Sequence, residues 1–408
     1  MHNDAIHDHR AHPFLGGGGL VSGGEIYLDH ATSSPLAPEV TAAITDALRL
    51  TASPDSVHPR GAATAVAVST ARAQLADLIG AEPEEIIFTA GATEARNLAV
   101  KGLLSANADI GTHVVTSEIE HPAVLSAVRS HIRAGKTASF VGVDSHGYIS
   151  PVAFARAVTD ATSVASIHHA QYEIGTIQDV PTIAEAIRDA HAPTRIHLDA
   201  SDSIGILHCD VSALGVDAVS ISGTPIGAPA WTGALWVRPG ARLHPLIEGG
   251  AQEFGKRAGA VDVAGIIGLG VAAARRQTDL ATHARQLRRH TEMLSSTLMG
   301  IGDVRRNGPE PATRLPGHLQ ISVAGMTGES LALALATRGV LVAPGSTCTA
   351  DAGKASPTLE AIGCSPEWTH SAILITIGAT TTDDEIARAG FIIEAAIREL
   401  RAMSPLSQ

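Results

Sequence analysis

Between residues 25 and 243, short apolar runs rich in β-branched residues alternate with longer stretches whose apolar positions recur every three or four residues. That alternation is the strongest constraint on the fold. Strands separated by helical stretches of this length join in parallel, with helices covering both faces of the sheet. Strands are expected at 86–89, 113–117, 138–143, 164–168, 195–198, 218–222 and 233–237. Helices are expected at 62–79, 92–105, 123–134, 151–158 and 180–190, several opening next to Pro, Ser or Thr. After residue 250 the pattern changes: 261–298 reads as one long region rich in Ala and Arg, and strands at 318–323 and 372–377 alternate with helices at 329–337 and 383–402. The expected fold is α/β, with a large domain over 25–260 whose mostly parallel sheet is sandwiched by helices. A long connecting helix and a smaller C-terminal α+β domain are expected over 261–408, and a flexible tail over 1–24.

Composition removes several functions. With 29 Lys and Arg against 41 Asp and Glu, the net charge of −12 gives no electrostatic footprint for nucleic acid or an anionic membrane surface. No uninterrupted apolar stretch reaches the length of a transmembrane helix. The three cysteines, Cys209, Cys348 and Cys364, have no CxxC spacing, which argues against a disulfide framework or a structural zinc site and suits a reducing cytoplasm. The tail carries His2, His7, His9 and His12 ahead of Gly16–Gly19 without periodicity, so no metal site is expected there. Four lysines, Lys101, Lys136, Lys256 and Lys354, are the whole inventory of side-chain amines. Schiff-base chemistry requires one of them.

Motifs in fixed order narrow the reading further. Residues 26–38 read IYLDHATSSPLAP, 88–98 FTAGATEARNL, 120–125 EHPAVL, 173–180 EIGTIQDV, 197–205 HLDASDSIG, 248–261 EGGAQEFGKRAGAV and 345–350 GSTCTA. Their sequence and spacing resemble those of cysteine desulfurases of the class V aminotransferase group. The resemblance implies a dimeric pyridoxal-phosphate (PLP) fold of type I, with the cofactor at the carboxyl ends of the large-domain strands. Gly91, Ala92 and Thr93 agree, since they follow a strand and open a helix, where backbone N–H groups stabilise a phosphate. The resemblance assigns Ser222 to the same neighbourhood, Asp199 to the pyridine nitrogen, and His121 to ring stacking and proton transfer. Without a cofactor, Asp199 reads equally well as a cap and His121 as a satisfied core histidine.

Departures from that pattern carry the functional expectation. The resemblance places the aldimine lysine in a Ser-x-His-Lys segment, which here is Ser222-Gly223-Thr224-Pro225. Proline has no amine. Other expected contacts change too: Thr224 stands for a phosphate-binding histidine, Ala260 for a threonine donated across the dimer, and Asp202 for a ring-contacting glutamine. Gln171-Tyr172 replaces an Asn-Asn pair, and Leu374 replaces the arginine that clamps the substrate carboxylate. The loop with Gly345, Ser346, Thr347 and Cys348 is intact, read either as an accessible sulfur-carrying thiol or as an inert inheritance.

The expected function is therefore a desulfurase-like sulfur relay or regulatory partner acting through Cys348, without autonomous PLP-dependent desulfuration and without a resident cofactor. PLP held non-covalently, an aldimine on Lys256, and a cleft turned to another ligand remain alternatives. Expected partners are a second copy, an active desulfurase or a sulfur-acceptor protein. Segment 261–274 is expected to bury apolar surface in that assembly.

Overall fold

The structure, a computed structural model, describes residues 24–345 and 355–403, so the expected tail lies outside the described residues apart from Gly24. It opens with β1 (Ile26–Tyr27), α1 (Pro38–Ala47) and α2 (Pro59–Ile79). Seven strands of one sheet follow: β2 (Ile86–Thr89), β3 (His113–Ser117), β4 (Thr137–Val141), β5 (Thr162–His168), β6 (Arg195–Asp199), β7 (Ala218–Ser222) and β8 (Gly233–Val237). Between them run α3 (Ala92–Ala106), α4 (Pro122–Arg133), α5 (Pro151–Ala157) and α6 (Val180–Ala190). The long helix α7 (Val263–Met299) leads to β9 (Val304–Arg306), β10 (His318–Val323), α8 (Gly328–Ala336), β11 (Val340–Leu341) and β12 (Ala343–Pro344). The chain continues through α9 (Pro357–Ala361), α10 (Pro366–His370), β13 (Ala372–Thr376) and α11 (Asp383–Met403).

In the large sheet the order is β2-β8-β7-β6-β5-β3-β4, and only β8 runs against its neighbours. Side chains alternate between two apolar layers, as the strand period requires. Ile87, Val114 and Val164 meet α3 and α4 on one face, while Phe88, Val115 and Ala165 join the core with α2, α5, α6 and α7 on the other. Burial on both faces is what makes these strands read as continuous apolar runs. Local signals set the helix starts: Pro59, Pro122 and Pro151 open α2, α4 and α5, and the Asp262 carboxylate accepts from the Gly265 N–H at 3.0 Å ahead of α7.

A second core gathers Leu287, Leu294 and Leu298 of α7 with α8, α11 and the antiparallel sheet β12-β13-β10-β9. Ile26 and Leu28 are buried in this core, because β1 pairs in parallel with β11. The chain start is thereby tied to its C-terminal part.

The expected role of 261–274 is corrected. Ile266, Leu269, Ala272 and Ala273 are buried within the chain, where the start of α7 packs against α1 and α2. Gly270 permits that approach: a Cβ there would lie 2.5 Å from the Ala71 Cα atom. Gly270→Val is expected to destabilise the protein by roughly 1–3 kcal/mol through overpacking, read from urea unfolding. An unchanged midpoint would contradict this account of the α2–α7 contact.

Candidate functional site

β2, β6 and β7 point the same way, so their carboxyl ends open on one side of the sheet, where open α/β sheets present ligands. A cleft of about 310 Å³ lies there. Its wall brings together Ala92 and Thr93 from the start of α3, His121 ahead of α4, Ser222 and Thr224 beyond β7, and Leu374 of β13. Tyr172 and Asp202 complete it from the loops after β5 and β6. Gly91, with φ of 88°, turns the chain from β2 into α3, so that the helix N-terminus faces the cleft.

His121 caps α4 by accepting the Ala123 N–H at its Nδ1, 3.1 Å away, and its ring meets Tyr172 edge-on with 5.1 Å between centroids. Burial, reinforced by the nearby Arg96 charge, pushes its pKa down to about 3. The imidazole is therefore neutral near pH 7, and because Nδ1 accepts, its proton sits on Nε2.

The centre of the site is a residue that the motif reading passed over. Arg96 lies one helical turn beyond Thr93, is only 3% exposed, and reaches under the cleft. Its Nε donates to Asp199 Oδ2 at 2.6 Å and its Nη2 to Asp202 Oδ2 at 2.8 Å. Asp199 Oδ1 also accepts from the Ser201 N–H at 3.1 Å and from Ser220 Oγ at 3.0 Å. Burial alone pushes Asp199 upward, but Arg96 and the adjacent His121 and His197 outweigh it and hold the carboxyl well below its usual range. Asp202 goes the other way. Burial carries it up to about 6, against the pull of Arg96 and with the help of the Asp199 charge. The signal for Arg96 was available as a lone guanidinium three residues past Thr93, on the helix face that looks into the cleft.

Other expected positions fall elsewhere. Pro225 sits in the short 3₁₀ turn Thr224–Ile226 and walls a neighbouring cavity. Ala260 is exposed, and its carbonyl accepts from Arg257 Nη1 at 3.1 Å. Lys101, Lys136 and Lys256 do not line the cleft, and Lys256 Nζ donates to the Leu243 carbonyl at 2.8 Å. Lys354 and Cys348 lie outside the described residues. Cys209 is a core residue whose thiol burial pushes up to about 12, and Cys364 is buried with Arg305 Nη2 2.9 Å from its sulfur.

The sequence profile of the class-V aminotransferases matches residues 26–393. The cysteine desulfurase IscS of Dictyoglomus turgidum is 36% identical over 389 residues, covering 94% of this chain and 97% of that one. The chain belongs to the cysteine desulfurase family of class-V aminotransferases. The IscS of Shewanella denitrificans is 38% identical over 387 residues, covering 93% of this chain and 95% of that protein. A solved NifS-like protein superposes with a TM-score of 0.86 at 27% identity, covering 92% of this chain and all of that one. The fold expected from the motifs is thus the fold of the family.

Members of this family are PLP-dependent, so the relationship lends no support to the expectation of a cleft without cofactor. The donors present fit one end of PLP. Thr93, Ser222 and Thr224 gather at the α3 N-terminus, a set suited to a phosphate. No described lysine lines the cleft, and Arg96 pairs with Asp199.

Two outcomes test this electrostatic arrangement. Arg96→Ala, which leaves two carboxylates without their shared cation, is expected to cost about 3–5 kcal/mol in urea unfolding, and a negligible loss would contradict the pairing. Asp202 binds its proton more tightly in the folded than in the unfolded protein, so the stability it contributes is present at low pH and lost as pH rises through about 6. Asp202→Asn should therefore gain stability relative to the parent between acidic and neutral pH. A difference that does not change with pH would count against the raised pKa.

Proposed function

We propose that this member of the cysteine desulfurase family does not sustain lysine-dependent desulfuration on its own and handles sulfur at Cys348 as a relay or regulatory partner. One observation carries the reading: Arg96 bridges Asp199 and Asp202 where the family resemblance expects a pyridine nitrogen. Pro225, in the position that the resemblance gives to the aldimine lysine, supports it. PLP, when bound, supplies an electron sink. In this cleft its phosphate would be held by Thr93, Ser222 and Thr224. Leu374 offers a substrate carboxylate no charge.

Cys348 is assigned to sulfur by its motif, and the anchoring of its flanks is consistent with work near the cleft. Ala343 pairs in register with Leu374 of the cleft wall, and Cys348 follows it by five residues (343 to 348), a reach of at most about 18 Å. On the near side the Gly345 N–H donates to the Ala372 carbonyl at 2.9 Å, and the Gly345 carbonyl accepts from Gln320 Nε2 at 3.0 Å. Beyond the loop, Ser356 Oγ donates to the buried Glu173 carboxylate at 2.6 Å. A fixed frame with a thiol between its ends suits transfer from a donor protein to an acceptor.

The partner that we propose is a second copy or an active relative, in a reducing cytoplasm. Val57, Leu246, Ile247 and Phe254 expose apolar surface, and Phe254 lines one pocket with Asp55 and Gln252, where Gln252 Nε2 donates to Asp55 Oδ2 at 3.1 Å. Among the described residues no helix is long and apolar enough to cross a membrane.

The test is to incubate the chain with an active desulfurase and labelled cysteine and to map the persulfide. Label is expected on Cys348 in preference to Cys209 and Cys364, and to be lost in Cys348→Ser. Equal labelling of Cys348→Ser would overturn the relay. Pro225→Lys, assayed alone with PLP and cysteine, is expected to release no more alanine than the parent, because Arg96, Asp202 and Leu374 remain. Turnover typical of an ordinary desulfurase in that variant would instead establish a cleft needing only its amine.

A further inference from the structure

Asp202 and Ala31 wall a second cavity on their other side, of about 80 Å³. It lies where α7 passes between the turn carrying Pro225 and the strand end at Thr376. Much of its wall is apolar, including Ile206, Pro225, Leu287 and Ile377. One water needs roughly 10–15 Å³ of such space, so this cavity has room for a small organic molecule.

Arg276 of α7 lines this apolar space while only 2% exposed. Its Nη1 is held by both oxygens of Asp279, at 2.9 and 3.1 Å. Its Nε is buried without a hydrogen-bond partner, and Nη2 makes no hydrogen bond among the described residues. Asp279 thus orients the guanidinium through one nitrogen and leaves the Nε–Nη2 edge, which a carboxylate bridges with two parallel hydrogen bonds. Gly205, with φ of +69°, fits against this side chain: a Cβ there would lie 2.3 Å from Ile226 Cγ2 and 3.1 Å from Arg276 Cγ. His318 repeats the pattern, its Nε2 buried without a partner on the same wall. Burial, with the Arg276 charge at His283 and the Arg314 charge at His318, keeps both imidazoles neutral, so each brings a hydrogen-bonding ring without a charge of its own.

The surrounding carboxylates do not meet this need. Glu39 pairs with Arg275, Asp279 reaches only Nη1 of Arg276 and also lies 3.8 Å from Arg275, and the two carboxylate side chains are 49% and 37% exposed, where water screens them. Asp202 is engaged by Arg96. A buried cation with an unpaired donor edge, in an apolar wall, matches an anion that brings its own apolar body.

We propose that this cavity binds a small monocarboxylic acid with a compact apolar body, its carboxylate bridging Nε and Nη2 of Arg276 and its body against Leu287, Ile206 and Pro225. The site is separate from the sulfur chemistry assigned to Cys348, so either assignment can fail without the other. The test titrates the full chain with sodium isobutyrate and, in parallel, with isobutyramide, followed by saturation-transfer NMR of the ligand methyls. Isobutyrate is expected to bind at least about tenfold more tightly than the amide, which lacks the charge that strengthens both hydrogen bonds. Arg276→Lys should lose that preference, and Leu287→Phe, which fills the cavity and leaves Arg276 in place, should abolish binding of both. No transfer to isobutyrate, equal binding of the amide, or binding unchanged in Leu287→Phe would each overturn the site.

Discussion

A single guanidinium holds the cleft together. Two carboxylates at the end of one strand, Asp199 and Asp202, cannot both stay ionised in a low-dielectric site without a cation between them. Arg96 supplies it from the first turns of α3, with hydrogen bonds of 2.6 and 2.8 Å. The arrangement fixes three elements relative to one another: α3, the end of β6 and the loop beyond it. Burial and this charge together set the protonation of the neighbours: burial, with Arg96, presses His121 down to about 3, Arg96 holds Asp199 low against its burial, and burial raises Asp202 despite Arg96. A buried network with every member paired defines one geometry, and removing one member leaves charges that nothing else in the cleft balances.

The C-terminal part completes the wall. Leu374 reaches the cleft from β13, and Glu173, from the loop beside Tyr172, accepts from Ser356 Oγ and Thr358 Oγ1 at 2.6 and 3.1 Å. Burial raises the Glu173 pKa, and these hydroxyls, with Gln320, oppose the shift. The segment that carries Cys348 in the sequence is therefore bounded by residues fastened to the same wall, while α7, buried against α1 and α2, holds the two cores in one chain. Family membership and local chemistry are separable in this protein. The sheet and helices are those of a cysteine desulfurase, and the charge pattern under the cleft is set by Arg96, Asp199 and Asp202.

Much of the fold was legible because burial on both sheet faces leaves uninterrupted apolar runs such as those of β5 and β7, which no polar alternation disguises. The start of α7 was legible as a helix but not as an internal packing surface, since an Ala- and Gly-rich face reads alike whether α2 or a partner chain covers it. β1 is two residues long, too short for any periodicity, and its pairing with β11 depends on contacts more than three hundred residues apart in sequence. At the site, Thr93, His121, Tyr172, Asp202, Ser222, Thr224 and Leu374 line one cleft. Arg96 was not legible, because the ion pairs that give it meaning span 103 and 106 positions of sequence.

We propose that Arg96 and Pro225 together leave this cleft without lysine-bound pyridoxal phosphate. The most direct measurement is the visible spectrum of the purified chain with pyridoxal phosphate added, recorded before and after borohydride reduction and followed by peptide mass mapping. No stable aldimine band and no lysine carrying a reduced pyridoxyl group are expected. A specific, stoichiometric adduct on Lys256 or Lys354 would contradict it and return the protein to the active desulfurases.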